Sequence, residues 1–431
     1  MDDKILEKRL DHLNESYHRI PPQTDPSDII KAIEKEKPEK LTVKRKWIHW
    51  PYVASFIGVL LISTVLAFQY TVEKDEKVGN ADQIKESIAT SDKVQAEIEE
   101  TRKIFEMRVI QAQESLGLSD NAFKETYMYQ TAKSILRYAE SAPKRDLSES
   151  EQIKLVHSVK EDIERTLLTP EQMIRGLVKL NPEEADGWIN EFLKKHHNLT
   201  MIYEEEINKL ERDWKKPVRN GNEDIGGITR YYRDSKDQPK ELINLLEGAT
   251  FNGVALKYVK NTDSFYGYLD YEFISLYINE NSSLPEPYKK ILELDGSKPA
   301  IITGELRISW KEAGERLIQY EKVLSQLPNN STLKGMIMVE YDRLYHFFVH
   351  GTAIEYTERE DGNQSIFSKD GILKPEVKDA FEYLIQTYPT TITSKYIKNE
   401  YNDLKESQFT KPKDWEMEMS PVPSIEELSH S

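Results

Sequence analysis

Apolar residues recur along most of the chain at intervals of three and four, which is the pattern of amphipathic helices. Near the amino terminus, one such stripe consists of Leu6, Leu10, Leu13 and Tyr17. A second apolar face follows and consists of Ile29, Ile30 and Ile33. Residues 1–46 are too few to build a core of their own, so we predict that these two faces bind a protein partner. The alternative is a weakly ordered tail that lies on a membrane.

The alternation of polar and apolar residues stops between Trp47 and Tyr70, where no Asp, Glu, Lys or Arg occurs. As a helix this stretch has a length of about 36 Å, enough to cross a hydrocarbon layer of ~30 Å. Basic and aromatic residues suited to membrane anchoring flank or end it, namely Lys44, Arg45, Lys46, Trp47, Trp50, Phe68 and Tyr70. We therefore predict a transmembrane helix at residues 47–71. A buried globular helix and a cleaved signal peptide are the alternatives.

Charge sets the expected orientation of this helix. The basic cluster lies on its amino-terminal side, so the positive-inside rule places residues 1–46 in the cytoplasm and residues 71–431 outside the cell membrane. The chain has a net charge of −16, and the excess of acidic residues lies in the outer part. An acidic outer part argues against direct binding of nucleic acid. The membrane lipid bilayer is thus one predicted partner, and whether the chain forms a homodimer stays open.

Helical patterns continue after the predicted span, and few or no strands are expected beyond a short one near 254–259. Capping signals at Ser119, Thr169, Asn181 and Ser309 predict four of the helix starts. The helix from Ser119 is expected to reach about residue 142, and helices are also expected at about 182–195, 199–214, 310–327 and 375–387. The fold class is therefore mainly α, with a single transmembrane helix and a large helical extracytoplasmic domain. The predicted organisation is a cytoplasmic segment at 1–46, the span at 47–71, a connector and long helix at 72–118, a helical subdomain at 119–216, a linker or loop at 217–238, a second helical subdomain at 239–407 and a disordered tail at 408–431.

Residues that carry chemistry form no recognisable catalytic pattern. The chain has no Cys, which excludes disulfides, thiol catalysis and Cys-ligated zinc and is typical of bacterial proteins that face the outside. His346 and His350 are spaced as two zinc ligands on one helix face, but no further ligands can be assigned. Six aromatic residues between 265 and 277 favour core packing over a ligand-binding wall. We therefore predict no catalytic residue, no metal and no cofactor, and expect the protein not to be an enzyme.

The amino-terminal layout resembles a known family. The resemblance rests on the helix around Leu6–Tyr17, the turn Ile20–Ile33, the basic anchor and the span, over about seventy residues. In this layout the chain is similar to the membrane-anchored anti-sigma factors of Gram-positive bacteria, which regulate extracytoplasmic-function sigma factors. The resemblance implies that the cytoplasmic segment holds a sigma factor and that the outer domain senses or is processed. Lacking Cys, the chain does not carry the His-x3-Cys-x2-Cys signature of the zinc-binding members.

A second function fits the same sequence. In this alternative the chain is a structural or adaptor protein of the bacterial cell envelope or sporulation apparatus, and the helical outer domain binds another envelope protein. An envelope hydrolase is a third interpretation, which requires an acidic pocket containing a carboxyl group with a raised pKa.

Overall fold

A computed structural model describes residues 92–429, apart from 234, 236–237, 282–283, 298, 303–304, 352–364 and 413–420. The predicted cytoplasmic segment and the predicted span at 47–71 lie outside the described residues. Among the helices of the described region, none has both the length and the hydrophobicity needed to cross a membrane.

Helices dominate the described region, in which 70% of the residues are helical and 7% are in strand pairing. The prediction of a mainly α fold with few strands is confirmed. The helices are α1 Asp92–Leu116, α2 Asp120–Lys124, α3 Tyr127–Glu140, α4 Glu149–Thr166, α5 Pro170–Arg175, α6 Pro182–Lys209, α7 Glu211–Arg219, α8 Ile225–Arg233, α9 Lys240–Phe251, α10 Tyr271–Asn281, α11 Glu286–Asp295, α12 Trp310–Gln326, α13 Leu333–His350, α14 Pro375–Thr387, α15 Ile392–Glu406 and α16 Ile425–Ser429. The strands are β1 Val254–Val259, β2 Ser264–Leu269, β3 Ile301–Ile302 and β4 Glu305–Leu306.

Side-chain caps fix several helix starts where the sequence predicts them. Thr169, Asn181 and Ser309 each accept a hydrogen bond from the backbone amide three residues later, and the side chain at that position bonds back. These reciprocal bonds satisfy amides that have no partner inside the helix. The helix expected from Ser119 to about residue 142 is instead split in two, because Thr126 starts α3 by accepting a hydrogen bond from the Tyr129 amide.

Helix α6 is longer than the sequence suggests. Two helices are expected at about 182–195 and 199–214, but a single helix runs from Pro182 to Lys209. No Pro or Gly interrupts residues 188–209. The helix remains regular because apolar residues on both sides of residue 196 are buried, among them Phe192 and Tyr203.

The apolar side chains form two core clusters, and α6 contributes to both. The amino-terminal cluster contains residues of α1, α3, α4, α8, α9 and the β1–β2 hairpin, together with Leu199, Tyr203 and Ile207 of α6. The carboxy-terminal cluster contains residues from α10 through α16, together with Ile189 and Phe192 of α6. The segment expected to be a linker, residues 217–238, includes α8, whose apolar side chains pack in the amino-terminal cluster.

The expected strand at 254–259 is present and pairs antiparallel with β2. Side chains of α6 cover the other edge of β2. The Gly267 amide donates to Glu204 Oε1 at 2.5 Å, and the Phe265 amide donates to Asn208 Oδ1 at 2.9 Å. Because these side chains satisfy backbone groups that a neighbouring strand would otherwise pair, the hairpin is attached directly to α6.

Helices α1 and α9 cross at very close range. A Cβ atom placed on Gly248 would lie 1.9 Å from the carbonyl oxygen of Leu116, so only glycine fits there. The same carbonyl accepts a hydrogen bond of 2.7 Å from the hydroxyl of Tyr203. Nδ2 of the buried Asn252 donates to the carbonyl of Ser115 at 3.2 Å. The buried carboxyl end of α1 is thus held by hydrogen bonds from α6 and from the residue after α9.

The carboxyl terminus differs from the expected disordered tail at 408–431. Helix α16 packs on α12, α13 and α15, and its Leu428 is fully buried in the carboxy-terminal cluster. Lys334 Nζ donates to Ser429 Oγ at 3.0 Å. One buried leucine and its hydrogen-bonded neighbours are enough to hold a short helix that composition alone does not reveal.

Candidate functional site

The functional residues predicted from the sequence lie outside the described residues. They are the partner-binding set Leu6, Leu10, Leu13, Tyr17, Ile29, Ile30 and Ile33, and the anchoring set Lys44, Arg45, Lys46, Trp47, Trp50, Phe68 and Tyr70. They stay predictions.

The two adjacent histidines of α6 point to different surroundings. His196 is fully buried, and its Nε2 lies 2.9 Å from the carbonyl oxygen of Gly253. Burial lowers the pKa of His196 to about 4. His197 instead contacts Asp295 at the end of α11. Neighbours on a helix diverge by about 100°, so this separation follows from helix geometry.

The second histidine pair shares one face, as its spacing predicts. The rings of His346 and His350 stack with their centroids 6.1 Å apart. Burial, followed by the charge of His346, lowers the pKa of His350 to about 4. Within residues 92–429, outside the gaps, no three His, Asp or Glu side chains are grouped so that they could hold a metal ion.

Buried Lys195 has the perturbed pKa of a candidate catalytic group but the contacts of a structural one. Burial lowers its pKa to about 8, against the opposing effect of Glu191. Its Nζ donates to the carbonyl oxygens of Arg165 and Leu168 at 3.0 and 3.1 Å. These carbonyls lie at the carboxyl end of α4, where a cationic donor satisfies groups without an intrahelical partner. We therefore assign Lys195 to helix capping.

A set of polar side chains lies on the neighbouring elements α6, β2, α11, α12 and α13, and we call it the polar trough. Its members are His197, Glu204, Tyr266, Asp295, Arg316, Tyr320, Glu340 and Arg343. Helix α12 packs on α11 and α13, α11 packs on α6, and α6 packs on β2. This chain of contacts brings together residues that are up to 146 positions apart in the sequence.

His197 links α6 to α11. Its side chain is 49% exposed, yet loss of solvent is the largest influence on its pKa. His197 Nε2 lies 2.9 Å from Asp295 Oδ1, and this hydrogen bond together with the charges of Asp295 and Glu340 raises the pKa despite the desolvation.

Two tyrosines belong to the trough. Tyr266 and Tyr320 are half-buried. Loss of solvent raises the pKa of both phenols, and nearby carboxylates raise it further, Glu204 for Tyr266 and Glu340 for Tyr320. Neither hydroxyl has a hydrogen-bond partner among the described residues. Each can therefore donate to or accept from a bound molecule.

Charged groups of both signs complete the trough. Tyr266 and Tyr320 both experience the charges of Glu340, Asp295 and Arg343. Arg316 lies one helical turn before Tyr320, and burial lowers its pKa. Glu340 and Arg343 are exposed and form no ion pair with another described residue. The arrangement can bind charge of either sign, and its acidic residues have no grouping suited to a metal ion.

Sequence reasoning did not find the trough. The only signal was the aromatic-rich run at 265–277, for which core packing was favoured. In the structure, β2 alternates between Phe265, Gly267 and Leu269, which are buried, and Tyr266 and Tyr268, which are half-exposed. Reading this run with a period of two would have separated its core residues from those that face solvent.

Comparison with known proteins does not assign this chain to a family. Neither protein-family models nor curated proteins nor solved structures contain a match to the chain.

Proposed function

We propose that this chain is a single-pass membrane regulatory protein. Its cytoplasmic amino-terminal segment binds a protein partner, and its helical domain outside the membrane binds or senses another molecule. The observation that carries the proposal is the uncharged stretch Trp47–Tyr70 directly after Lys44, Arg45 and Lys46. A membrane-spanning helix accounts for both its length and its basic and aromatic flanks.

The described region supports the part of this proposal that concerns the helical domain outside the membrane. It follows the predicted span in the sequence and contains a folded domain with two core clusters. The polar trough gives this domain a set of partly exposed polar groups, which is the candidate binding surface in this proposal.

We propose that the cytoplasmic partner is a sigma factor, from the resemblance of the amino-terminal layout to anti-sigma factors. Tethering a captured sigma factor to the membrane keeps it away from DNA. Each apolar anchor of the segment contributes roughly 1.5–3 kcal/mol of burial before ordering costs.

Affinity capture of the detergent-solubilised full chain tests the partner. Leu10→Glu places a charge in the apolar stripe and is expected to abolish recovery of a sigma factor. Lys8→Glu adds the same side chain on the opposite face of the predicted helix and should leave recovery unchanged. Recovery of no sigma factor by the wild-type chain, or equal recovery by both variants, contradicts the proposal.

Protease treatment of intact cells tests the topology. A tag fused after Ser431 should be digested from outside, whereas a tag before Met1 should be protected. Protection of the carboxyl-terminal tag contradicts the proposed orientation.

The extent of the outer domain favours a second candidate function. In this alternative the chain is an adaptor protein of the cell envelope, and the outer domain binds another envelope protein. Deletion of residues 1–40 distinguishes the two functions. It abolishes activity in the regulator and spares it in the adaptor.

A further inference from the structure

We propose that residues 421–429 form an autoinhibitory strap that covers a peptide-binding site on α12, α13 and α15. The ligand class is a segment of another protein that places an acidic residue directly after a buried leucine. We call residues 421–429 the strap and the surface that they cover the strap site. This inference goes beyond the proposed function and does not depend on the membrane topology or on the cytoplasmic partner.

The strap is held by a small apolar contact. Leu428 is fully buried in the carboxy-terminal cluster and Pro423 is buried, whereas Val422 and Ile425 are only partly buried. Helix α16 within the strap has five residues, which is too short to be stable without this packing. A segment with few buried side chains opens at a lower free energy than the core beneath it. The strap can therefore leave its site while the rest of the domain stays folded.

The walls of the strap site are linked to each other without the strap. Glu321 of α12 accepts hydrogen bonds from the amides of Ile392 and Thr393 of α15, at 2.8 and 2.9 Å. The hydroxyl oxygen of Tyr341 on α13 lies 2.9 Å from Oγ1 of Thr393. These bonds join the three helices on which α16 packs. Opening of the strap is therefore expected to leave a preformed site.

The strap carries its own helix start. The amide and the hydroxyl of Ser424 both donate to Glu427 Oε2 at 2.8 Å, and the Glu427 amide donates to Ser424 Oγ at 3.2 Å. These bonds lie within the strap, so they form independently of the site. The other carboxylate oxygen of Glu427 accepts from the hydroxyl of Tyr396 on α15 at 2.8 Å. A separate peptide with this sequence can make the same turn and the same outward bond.

Lys334 of α13 determines which ligand fits best. It is only 7% exposed, and within the described ranges it forms no ion pair. Its Nζ donates to Ser429 Oγ at 3.0 Å. A buried ammonium group is stabilised more by a carboxylate than by a neutral hydroxyl. Ser429 is therefore a weak partner for this charge, and an aspartate or glutamate after the leucine anchor would be a stronger one.

This weak contact allows a ligand to displace the strap. The strap belongs to the same chain as its site, so it competes at a high effective concentration. The apparent affinity for any ligand is reduced by the fraction of molecules in which the site is open. A ligand whose carboxylate pairs with Lys334 can overcome this competition, and one that offers only a hydroxyl cannot. The strap thus acts as a threshold that selects for the acidic residue.

Thiol labelling of the full-length chain in detergent tests the opening. The chain has no Cys, so Leu428→Cys introduces a single thiol at the anchor of the strap. Leu324→Cys introduces the same group at a fully buried position of α12 in the same cluster. We expect the thiol at position 428 to react with DTNB about tenfold faster or more, because local opening requires less free energy than global unfolding. Combining Leu428→Cys with Ser429→Asp should slow its reaction by about threefold or more.

Fluorescence anisotropy of labelled peptides tests the ligand. The first peptide has the sequence of residues 421–431, the second carries Ser429→Asp, and the third carries Leu428→Glu. The wild-type chain should bind the second peptide about tenfold more tightly than the first and should not bind the third. In the full-length chain, Leu428→Glu releases the strap and should tighten the binding of the first two peptides by about tenfold or more.

Matched variants locate the binding. Ile372→Glu adds the same charge at an exposed apolar position outside the strap site and should bind the peptides as wild type does. Lys334→Met keeps the length of the side chain without its charge and should abolish the preference for the second peptide over the first. Circular dichroism verifies that each variant is folded. The comparison of peptides on the wild-type chain stands even where Leu428→Glu prevents folding.

Several results would overturn the assignment. Equal reaction rates of the thiols at positions 428 and 324 would show that the strap does not open separately. Equal binding of the first and second peptides, or no binding of either, would exclude the proposed ligand class. Co-purification of a tagged with an untagged wild-type chain, abolished by Leu428→Glu, would make a second copy the occupant of the site. None of these results bears on sigma-factor capture or tag protection, so the two proposals fail separately.

Discussion

The Nε2 atom of His196 lies 2.9 Å from the carbonyl oxygen of Gly253 and joins the middle of α6 to the residue that precedes β1. The imidazole is fully enclosed, and Thr200 Oγ1 lies 3.4 Å from its other nitrogen. A neutral ring that donates from Nε2 satisfies the Gly253 carbonyl without burying a charge.

The burial of this ring makes the protein sensitive to acid. Burial lowers the pKa of His196 from its ordinary value of about 6.5 to about 4, so between these values the unfolded chain binds a proton that the folded chain does not. The free energy of unfolding therefore falls as the pH drops from 6.5 to 4, by roughly 3 kcal/mol from this residue.

Urea denaturation of wild type and His196→Gln at steps between pH 7 and 4 measures this contribution. The variant should show a weaker pH dependence of unfolding, by about one proton. The same change at the exposed His157 should leave the slope as in wild type. Equal slopes for wild type and His196→Gln would contradict the assignment.

Gly248→Ala is expected to lower the free energy of unfolding by about 3 kcal/mol or more, because the new methyl group collides with the carbonyl of Leu116. Gly187→Ala is the matched control. Gly187 lies inside α6, and a Cβ atom there meets nothing within 4 Å. This second change should stabilise the protein by up to about 1 kcal/mol. Denaturant midpoints that move in the same direction for both variants would exclude the crossing as the cause.

Glu321→Gln should destabilise the protein by about 1–3 kcal/mol. Glu321 is buried, and its two carboxylate oxygens accept from the amides of Ile392 and Thr393 at 2.8 and 2.9 Å. A glutamine replaces one acceptor with a donor that faces an N–H group, and it removes the charge at the helix amino terminus. Thermal unfolding of this variant beside Glu247→Gln, at an exposed position, checks the effect. A melting temperature equal to that of the control would argue against the cap.

Local chemistry explains which parts of the fold the sequence predicts. Helices α12 and α14 lie within one residue of their expected limits, because Ser309, Pro375 and the following apolar periodicity act over a few residues. The break before α3 was missed, since Thr126 resembles an ordinary helix residue until its side chain caps Tyr129. The limits of α6 were missed because tertiary burial, and not a local signal, decides them.

The trough could not be predicted for a different reason. His197 and Asp295 are separated by 98 positions, and no spacing rule joins an exposed residue of α6 to the last residue of α11. Only the packing of α11 on α6 brings them together. The amino-terminal stripes around Leu6 and Ile29 were visible in the sequence because each lies within one helix, and they stay predictions.

Because α6 supplies side chains to both clusters, neither half of the described domain can lose its packing without loosening the other. Helix α6 is continuous from one cluster to the other, and His197 lies near its middle. We therefore expect a change at the middle of α6 to alter the packing of both clusters.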